Sequence, residues 1–317
     1  MQTKPTYVIN GFLDSGKTSF FRYTLSQPYF KTEGKTLLVR CEEGDEEYGD
    51  RLLKENNIIL VDIEDEADFT VEKLEELDKE HAPVRILIEY NGMWDFKELK
   101  LPKIWSLEQQ ITIIDASTFP MYFNNMKSLL AEQLRNSELV MFNRCDGINE
   151  KELASYKRNV KAINQQAEIV FEDENGEVNI TLDEDLPFDL NSDPIELNNF
   201  GFGMFYLDAL ENLDRYEGKN VKFKGMVLKP KGFPKDRFVP GRMAMTCCAN
   251  DMQFLGFVTD YKKAESLKDK DWVEVTARVD RGFVKEYKGE GPILKATEVK
   301  KCSAPDQPVI DFSQPEA

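Results

Sequence analysis

The chain has 317 residues, enough for two domains with separate hydrophobic cores, and contains no run of about 18 apolar residues, which argues against membrane insertion. Its formal charge of −17 repels phosphate, so neither nucleic acid nor an anionic lipid surface is expected as a partner. Five cysteines, Cys41, Cys145, Cys247, Cys248 and Cys302, lack C-x-x-C spacing; with an N-terminus that runs into a strand pattern rather than a secretory signal, they point to a reducing cytoplasm.

The first half alternates short β-branched runs with helical patterns, as βαβ units do. Strands are expected at Thr6–Asn10, Thr36–Arg40, Ile58–Val61, Val84–Glu89, Ile111–Asp115, Leu139–Asn143 and Glu168–Phe171, with helices starting at Lys17 and covering Val71–Glu80. The expected fold is α/β, a P-loop doubly wound and mostly parallel sheet over residues 1–175. An acidic linker, 176–203, with breakers at Pro187 and Pro194, then leads to a smaller all-β, OB-like barrel at 204–317. The spacing there predicts a helix at Met204–Tyr216 and strands at Val221–Leu228, Phe238–Cys247 and Gln253–Asp260. A helical stretch at Tyr261–Leu267 follows, then strands at Trp272–Asp280 and Pro292–Lys300. Residues 216–300 hold 18 basic against 12 acidic side chains, so the acidity lies outside this segment.

Gly11-Phe12-Leu13-Asp14-Ser15-Gly16-Lys17-Thr18 matches G-x-x-x-x-G-K-[ST] between a strand and a helix, the context that pattern needs. Glycines at 11 and 16 let backbone N–H groups wrap a phosphate, and the helix N-terminus adds positive potential. Lys17 places a cation on the β/γ oxygens, and Thr18 offers a hydroxyl to Mg²⁺. Ser15, Ser19 and Asp14 complete the candidate phosphate cradle, although the Asp14 carboxylate must point away from a polyphosphate.

Val84–Glu89 is a hydrophobic strand ending in a carboxylate, with Gly92 three residues on. Glu89 is a candidate catalytic residue alongside Lys17: it could hold Mg²⁺ or orient the attacking water, while the Gly92 N–H could sense a γ-phosphate. Asn143-Arg144-Cys145-Asp146 follows another strand and approximates N-K-x-D, in which Asp146 would accept from two guanine N–H donors. Arg144 replaces the usual lysine and could stack beside the base or the P-loop.

These segments, in this order, resemble the CobW-like GTPases over residues 5–171. The chain has GFLDSGKT where that family typically has GFLGAGKT, and Ile88-Glu89-Tyr90-Asn91-Gly92 is similar to its IETSG. The resemblance implies GTP and Mg²⁺ as cofactors, hydrolysis coupled to metal handling, and a place for Glu42, in Cys41-Glu42-Glu43-Gly44-Asp45, near Mg²⁺. The family's CxCC metal motif has no counterpart here: Ile63-Glu64-Asp65-Glu66-Ala67-Asp68 stands at its position, where thiolate ligation is impossible.

Residues 204–312 resemble the C-terminal domain of a bacterial family described as permease subunits, through Tyr216-x-Gly218-Lys219, the Phe238–Arg242 strand, Cys247-Cys248-x-x-Asp251 and Trp272-Val273. That likeness suggests a membrane permease or a metalloprotein as partner. Cys247 and Cys248 are candidate Zn²⁺ ligands, with Cys302 brought near by the last strand, if a bulge or loop lets adjacent residues face one way. Two other readings stay open: a regulatory module whose barrel binds a partner or stacks single-stranded nucleic acid on Phe223, Phe233, Phe238 and Phe257, and a P-loop ATPase or kinase.

Overall fold

β1 (Lys4–Asn10) is the central strand of a parallel sheet, with β4 (Arg85–Glu89) on one side and β5 (Trp105–Asp115) on the other. The structure, a computed structural model, describes residues 3–180, 186–245, 252–284 and 289–312. The chain divides into two compact units, Met1–Ile180 and Thr181–Ala317.

In the first unit, β2 (Thr36–Arg40), β3 (Ile58–Asp62), β6 (Leu139–Asn143) and β7 (Glu168–Asp173) complete a sheet of order β3-β2-β4-β1-β5-β6-β7. All of these strands run parallel, and a two-residue β8 (Gly176–Glu177) turns back antiparallel on β7. Every residue of β2 and β4 is buried, as strands covered on both faces require. The helices α1 (Lys17–Ser26), α2 (Asp50–Glu55), α3 (Val71–His81), α4 (Phe119–Asn125), α5 (Lys127–Leu134) and α6 (Glu150–Ile163) fill the connections. Thr70 caps α3 by accepting from Lys73 N at 3.2 Å, and Asn149 caps α6 by accepting from Glu152 N at 3.0 Å, which satisfies N–H groups a helix start leaves open. The expected strands are all present; the fifth is longer than Ile111–Asp115, because Trp105–Gln110 also pairs with β1.

The second unit is a closed barrel. β10 (Asn220–Leu228), β11 (Arg237–Met245), β13 (Thr259–Asp260), β15 (Gly289–Lys301) and β14 (Trp272–Val284) pair in that order, and β14 returns to β10. Alternation along β10 puts Val221, Phe223, Gly225 and Val227 inside. β9 (Ile195–Leu197) pairs parallel with β10, β12 (Met252–Gly256) pairs antiparallel with β11, and β16 (Val309–Asp311) lies parallel to β11. The expected third strand is therefore split in two, and the expected helical stretch at Tyr261–Leu267 shrinks to a single 3₁₀ turn, Ala264–Ser266.

The helix preceding the barrel, α7 (Asn199–Glu211), starts five residues before the expected Met204, within what reads as linker. Asn198 caps it by accepting from Gly201 N at 2.6 Å. A Cβ at Gly203 would come within 2.9 Å of the Phe312 ring, so this glycine serves close packing and not a loop. Phe223, Phe238 and Phe257 are buried in the unit, and Phe233 packs against Val258, Val284 and Ile293; the stacking platform that nucleic acid would need is spent on the core. Among the described residues, no helix is long and apolar enough to cross a membrane.

Candidate functional site

Parallel pairing brings the carboxyl ends of the central strands to one edge. Ile9 of β1 lies beside Glu89 of β4, and Asp115 of β5 beside Asn143 of β6. The loop between β1 and α1 crosses this edge, where ligands of open α/β sheets bind. Gly11 at φ 138° and Gly16 at φ 101° supply the left-handed backbone its turns require, and a Cβ at Gly11 would sit 2.2 Å from Ile113 O.

A cavity of about 230 Å³ opens at the start of α1, lined by Gly16, Lys17, Thr18, Ser19, Glu42 and Glu89 among others. The Lys17 side chain is 3% exposed and forms the floor of this cavity. Its ammonium donates to Gly11 O at 2.8 Å, to Phe12 O at 2.9 Å and to Glu42 Oε1, so one carboxylate and two carbonyls hold the loop's cation.

Thr18 Oγ1 donates to Glu89 Oε1 at 2.7 Å, and the Tyr48 hydroxyl donates to Glu89 Oε2. Glu89 is 2% exposed. Burial raises its carboxyl above the usual range, against the opposing hydrogen bonds from Tyr48 and Thr18 and the charge of Lys17. Burial, together with the Glu89 charge, also lifts the Tyr48 phenol well above its ordinary value, so it stays a neutral donor.

Asp14 is exposed at φ 57°, and its Oδ1 accepts from Asp45 N at 3.5 Å, so its charge faces the segment after Cys41 and not the loop amides. Gly92 packs tightly: a Cβ there would meet Gly11 O at 2.2 Å, and its carbonyl accepts from Gln133 Nε2 at 2.8 Å. The Asn143 amide donates to Ser15 O at 2.7 Å and so braces the P-loop, while its Oδ1 and the Ser15 hydroxyl are buried with no hydrogen-bond partner among the described residues.

Arg144 Nη1 donates to Asp14 O at 2.9 Å and to Asp115 Oδ2 at 2.6 Å. Burial opposes ionisation of Asp115, but hydrogen bonds from Ser117 and Arg144 outweigh it and hold the carboxyl below its usual range. Asp146 is exposed and accepts from Glu174 N at 2.9 Å. Tyr48 and Gln133 were not singled out in the sequence, whereas Asp115 was legible there as the end of the expected strand Ile111–Asp115.

The candidate thiolate pair Cys247-Cys248 lies outside the described residues. Among those described, no group of three or more His, Cys, Asp or Glu side chains is arranged to hold a metal, the acidic run Glu64–Asp68 included. Cys41 and Cys145 are buried; desolvation pushes the Cys41 thiol far up and that of Cys145 to about 11, which keeps both protonated.

Comparison with known proteins adds family relationships. Residues 5–171 match the model of the CobW/HypB/UreG nucleotide-binding domain, and residues 171–310 match that of the DUF1980 C-terminal domain. The UPF0703 protein YcgQ of Bacillus subtilis (strain 168) is 21% identical over 109 residues, covering 33% of this chain and 38% of that protein. The chain thus spans well under half the length of this curated relative. Among solved structures, the hydrogenase maturation factor HypB from Archaeoglobus fulgidus is similar at 16% identity and a TM-score of 0.40, covering 55% of this chain and 82% of that one.

Proposed function

This chain belongs to the CobW/HypB/UreG nucleotide-binding family, and from that premise we propose that it is a Mg²⁺-dependent GTPase. The observation that carries the reading is the cavity at the start of α1, where one P-loop cation and two carboxylates converge on the first helical turn.

The residues present fit a magnesium–triphosphate. Lys17 is a buried cation held, among the described residues, by its own loop and by Glu42, an arrangement phosphate oxygens can take over. Thr18, Glu42 and Glu89 are the hard oxygen donors that would hold Mg²⁺, directly or through water. When bound there, the ion would supply charge neutralisation for the triphosphate. Helix-start amides and Lys17 bind and orient the triphosphate. Glu89 ends β4 at this cavity, where its carboxylate would either hold the ion through water or orient the attacking water. Asn143 and Asp146 are assigned to the guanine base; the unpartnered Asn143 Oδ1 supports a ligand contact there.

The wider reading, hydrolysis coupled to metal handling or transport with a permease or metalloprotein partner, is drawn from the family and from the likeness of the C-terminal unit to a permease-subunit domain. Titration of the purified chain with GTP and ATP, each with and without Mg²⁺, tests the nucleotide reading. Tight Mg²⁺-dependent GTP binding is expected, and absence of affinity for any purine triphosphate would overturn it. Metal analysis of the same preparation tests the coupling.

A further inference from the structure

Along β11 the alternation puts Phe238, Pro240, Arg242 and Ala244 on the buried face. Three of these suit a barrel interior, whereas the fourth carries a charge and is only 1% exposed. The Arg242 guanidinium donates from Nη2 to Asn199 Oδ1 at 2.8 Å and to Gln307 O at 2.6 Å, from Nη1 to Lys224 O at 3.3 Å, and from Nε to Pro308 O at 3.4 Å. It also sits 5.4 Å from the centre of the Trp272 ring. All four acceptors are neutral, and no carboxylate among the described residues pairs with it. Burial accordingly pushes its pKa down, to about 10.

A guanidinium carries five N–H donors. Four acceptors leave one Nη1 donor with no acceptor among the described residues. Burying a cation whose acceptors are all neutral is costly, and an apolar side chain of similar volume would fill the same place without burying a charge. Packing alone therefore does not account for an arginine here.

The groups that grip the guanidinium also border open space. Asn199, Lys224 and Arg242 line a cavity of about 640 Å³, together with Lys222, Glu274 and Asp306. The cavity lies at the N-terminus of α7, where Asn198 and Asn199 line it and the first helical N–H groups leave positive potential. Lys222 is committed to Glu196 at 3.1 Å, whereas the Lys224 ammonium makes no ion pair among the described residues.

We propose that this cavity in the barrel unit is a binding site for a small ligand bearing one oxyanion group, a carboxylate or a phosphate, which Arg242 and Lys224 hold. Its volume suits a compact metabolite. Glu196, paired with Lys222, also lines the cavity, and with Glu274 and Asp306 it repels polyanions and so restricts the ligand to low total charge. The proposal does not rest on the nucleotide reading, because every residue it uses belongs to the second unit.

The test is ¹⁹F NMR on the full chain labelled with 5-fluorotryptophan, titrated with succinate in one arm and inorganic phosphate in the other. Of the three tryptophans, only Trp272 lies in the barrel unit, while Trp94 and Trp105 report on the nucleotide-binding unit. The expected result is a saturable shift of the Trp272 resonance with one probe, its affinity weakened about tenfold or more by Arg242→Lys. Lys224→Met, a change at a half-buried side chain, should weaken it severalfold with all three resonances otherwise in place, and decides the matter if the arginine variant does not fold. The proposal is overturned if neither probe shifts Trp272 saturably, or if the shift survives undiminished in Lys224→Met.

Discussion

Thr18 in the first turn of α1 donates its hydroxyl hydrogen to Glu89 at the end of β4, across 2.7 Å and out of contact with bulk water. The bond ties the phosphate loop to the strand end that would sense hydrolysis. Tyr48, between β2 and α2, donates to the other oxygen of the same carboxylate, so three separate segments meet on one buried charge.

Replacing that charge should separate stability from activity. A carboxyl raised by burial holds a proton that the unfolded chain has already released, so folding stability falls as pH rises from the unfolded value through the raised one, and the penalty persists above it. Glu89→Gln removes this term. The nucleotide-free variant should melt higher than the parent at pH 8, and the gap should shrink towards pH 4. Its Mg²⁺-dependent turnover of GTP should fall by about a hundredfold or more. A melting-temperature gap that widens on acidification would contradict the assignment.

Glu42 should act with opposite signs depending on magnesium. Without the ion, it competes with phosphate for the Lys17 ammonium, so Glu42→Gln should tighten GTP binding in EDTA by about threefold to tenfold. With the ion present, the same variant loses an oxygen donor and should bind GTP more weakly than the parent. Fluorescent-nucleotide titrations under the two conditions read both signs, and a uniform effect would remove Glu42 from the metal site.

Gly92→Ala should destabilise the first unit by about 1–3 kcal/mol, because the new methyl would meet Gly11 O at 2.2 Å and Phe12 Cα at 2.7 Å, both main-chain atoms of the P-loop that cannot swing away. Gly44→Ala is the matched control: its Cβ would meet Asp14 Oδ1 at 3.0 Å and Leu13 Cδ1 at 3.8 Å, both at the ends of exposed side chains. Urea midpoints of the two variants should therefore differ clearly.

The P-loop was legible from residues alone because its demands are local: glycines where φ is positive, then lysine and threonine opening a helix. Glu89 was legible because a strand of apolar residues ended on a charge. Tyr48 was not, since it stands in an aperiodic polar segment and its role depends on β2 and β4 lying side by side. Gly201 and Gly203 disguised the start of α7 as loop, because a helix that needs glycine for close packing carries the same residues as a turn. Arg242 was visible in a strand, but its burial depends on the barrel closing around it.

On the proposed GTPase reading, base selection would turn on Asp146. Its Oδ1 accepts from Glu174 N at 2.9 Å, so the carboxylate fastens the turn after β7 in addition to the base contact proposed for it. Asp146→Ala removes both contacts, and a loss of GTP affinity could then come from a loosened turn. Asp146→Asn keeps an oxygen for Glu174 but replaces the second acceptor with a donor, which clashes with the two N–H donors of guanine. The asparagine variant should therefore lose about tenfold to a hundredfold in GTP affinity while its melting temperature and its weaker ATP affinity stay near those of the parent. Arg144 sharpens the contrast, because its pairing with Asp115 at 2.6 Å and with Asp14 O holds the segment in place in either variant. Parallel GTP and ATP competition curves make the comparison. Equal losses for both nucleotides would show that Asp146 shapes the site without reading the base.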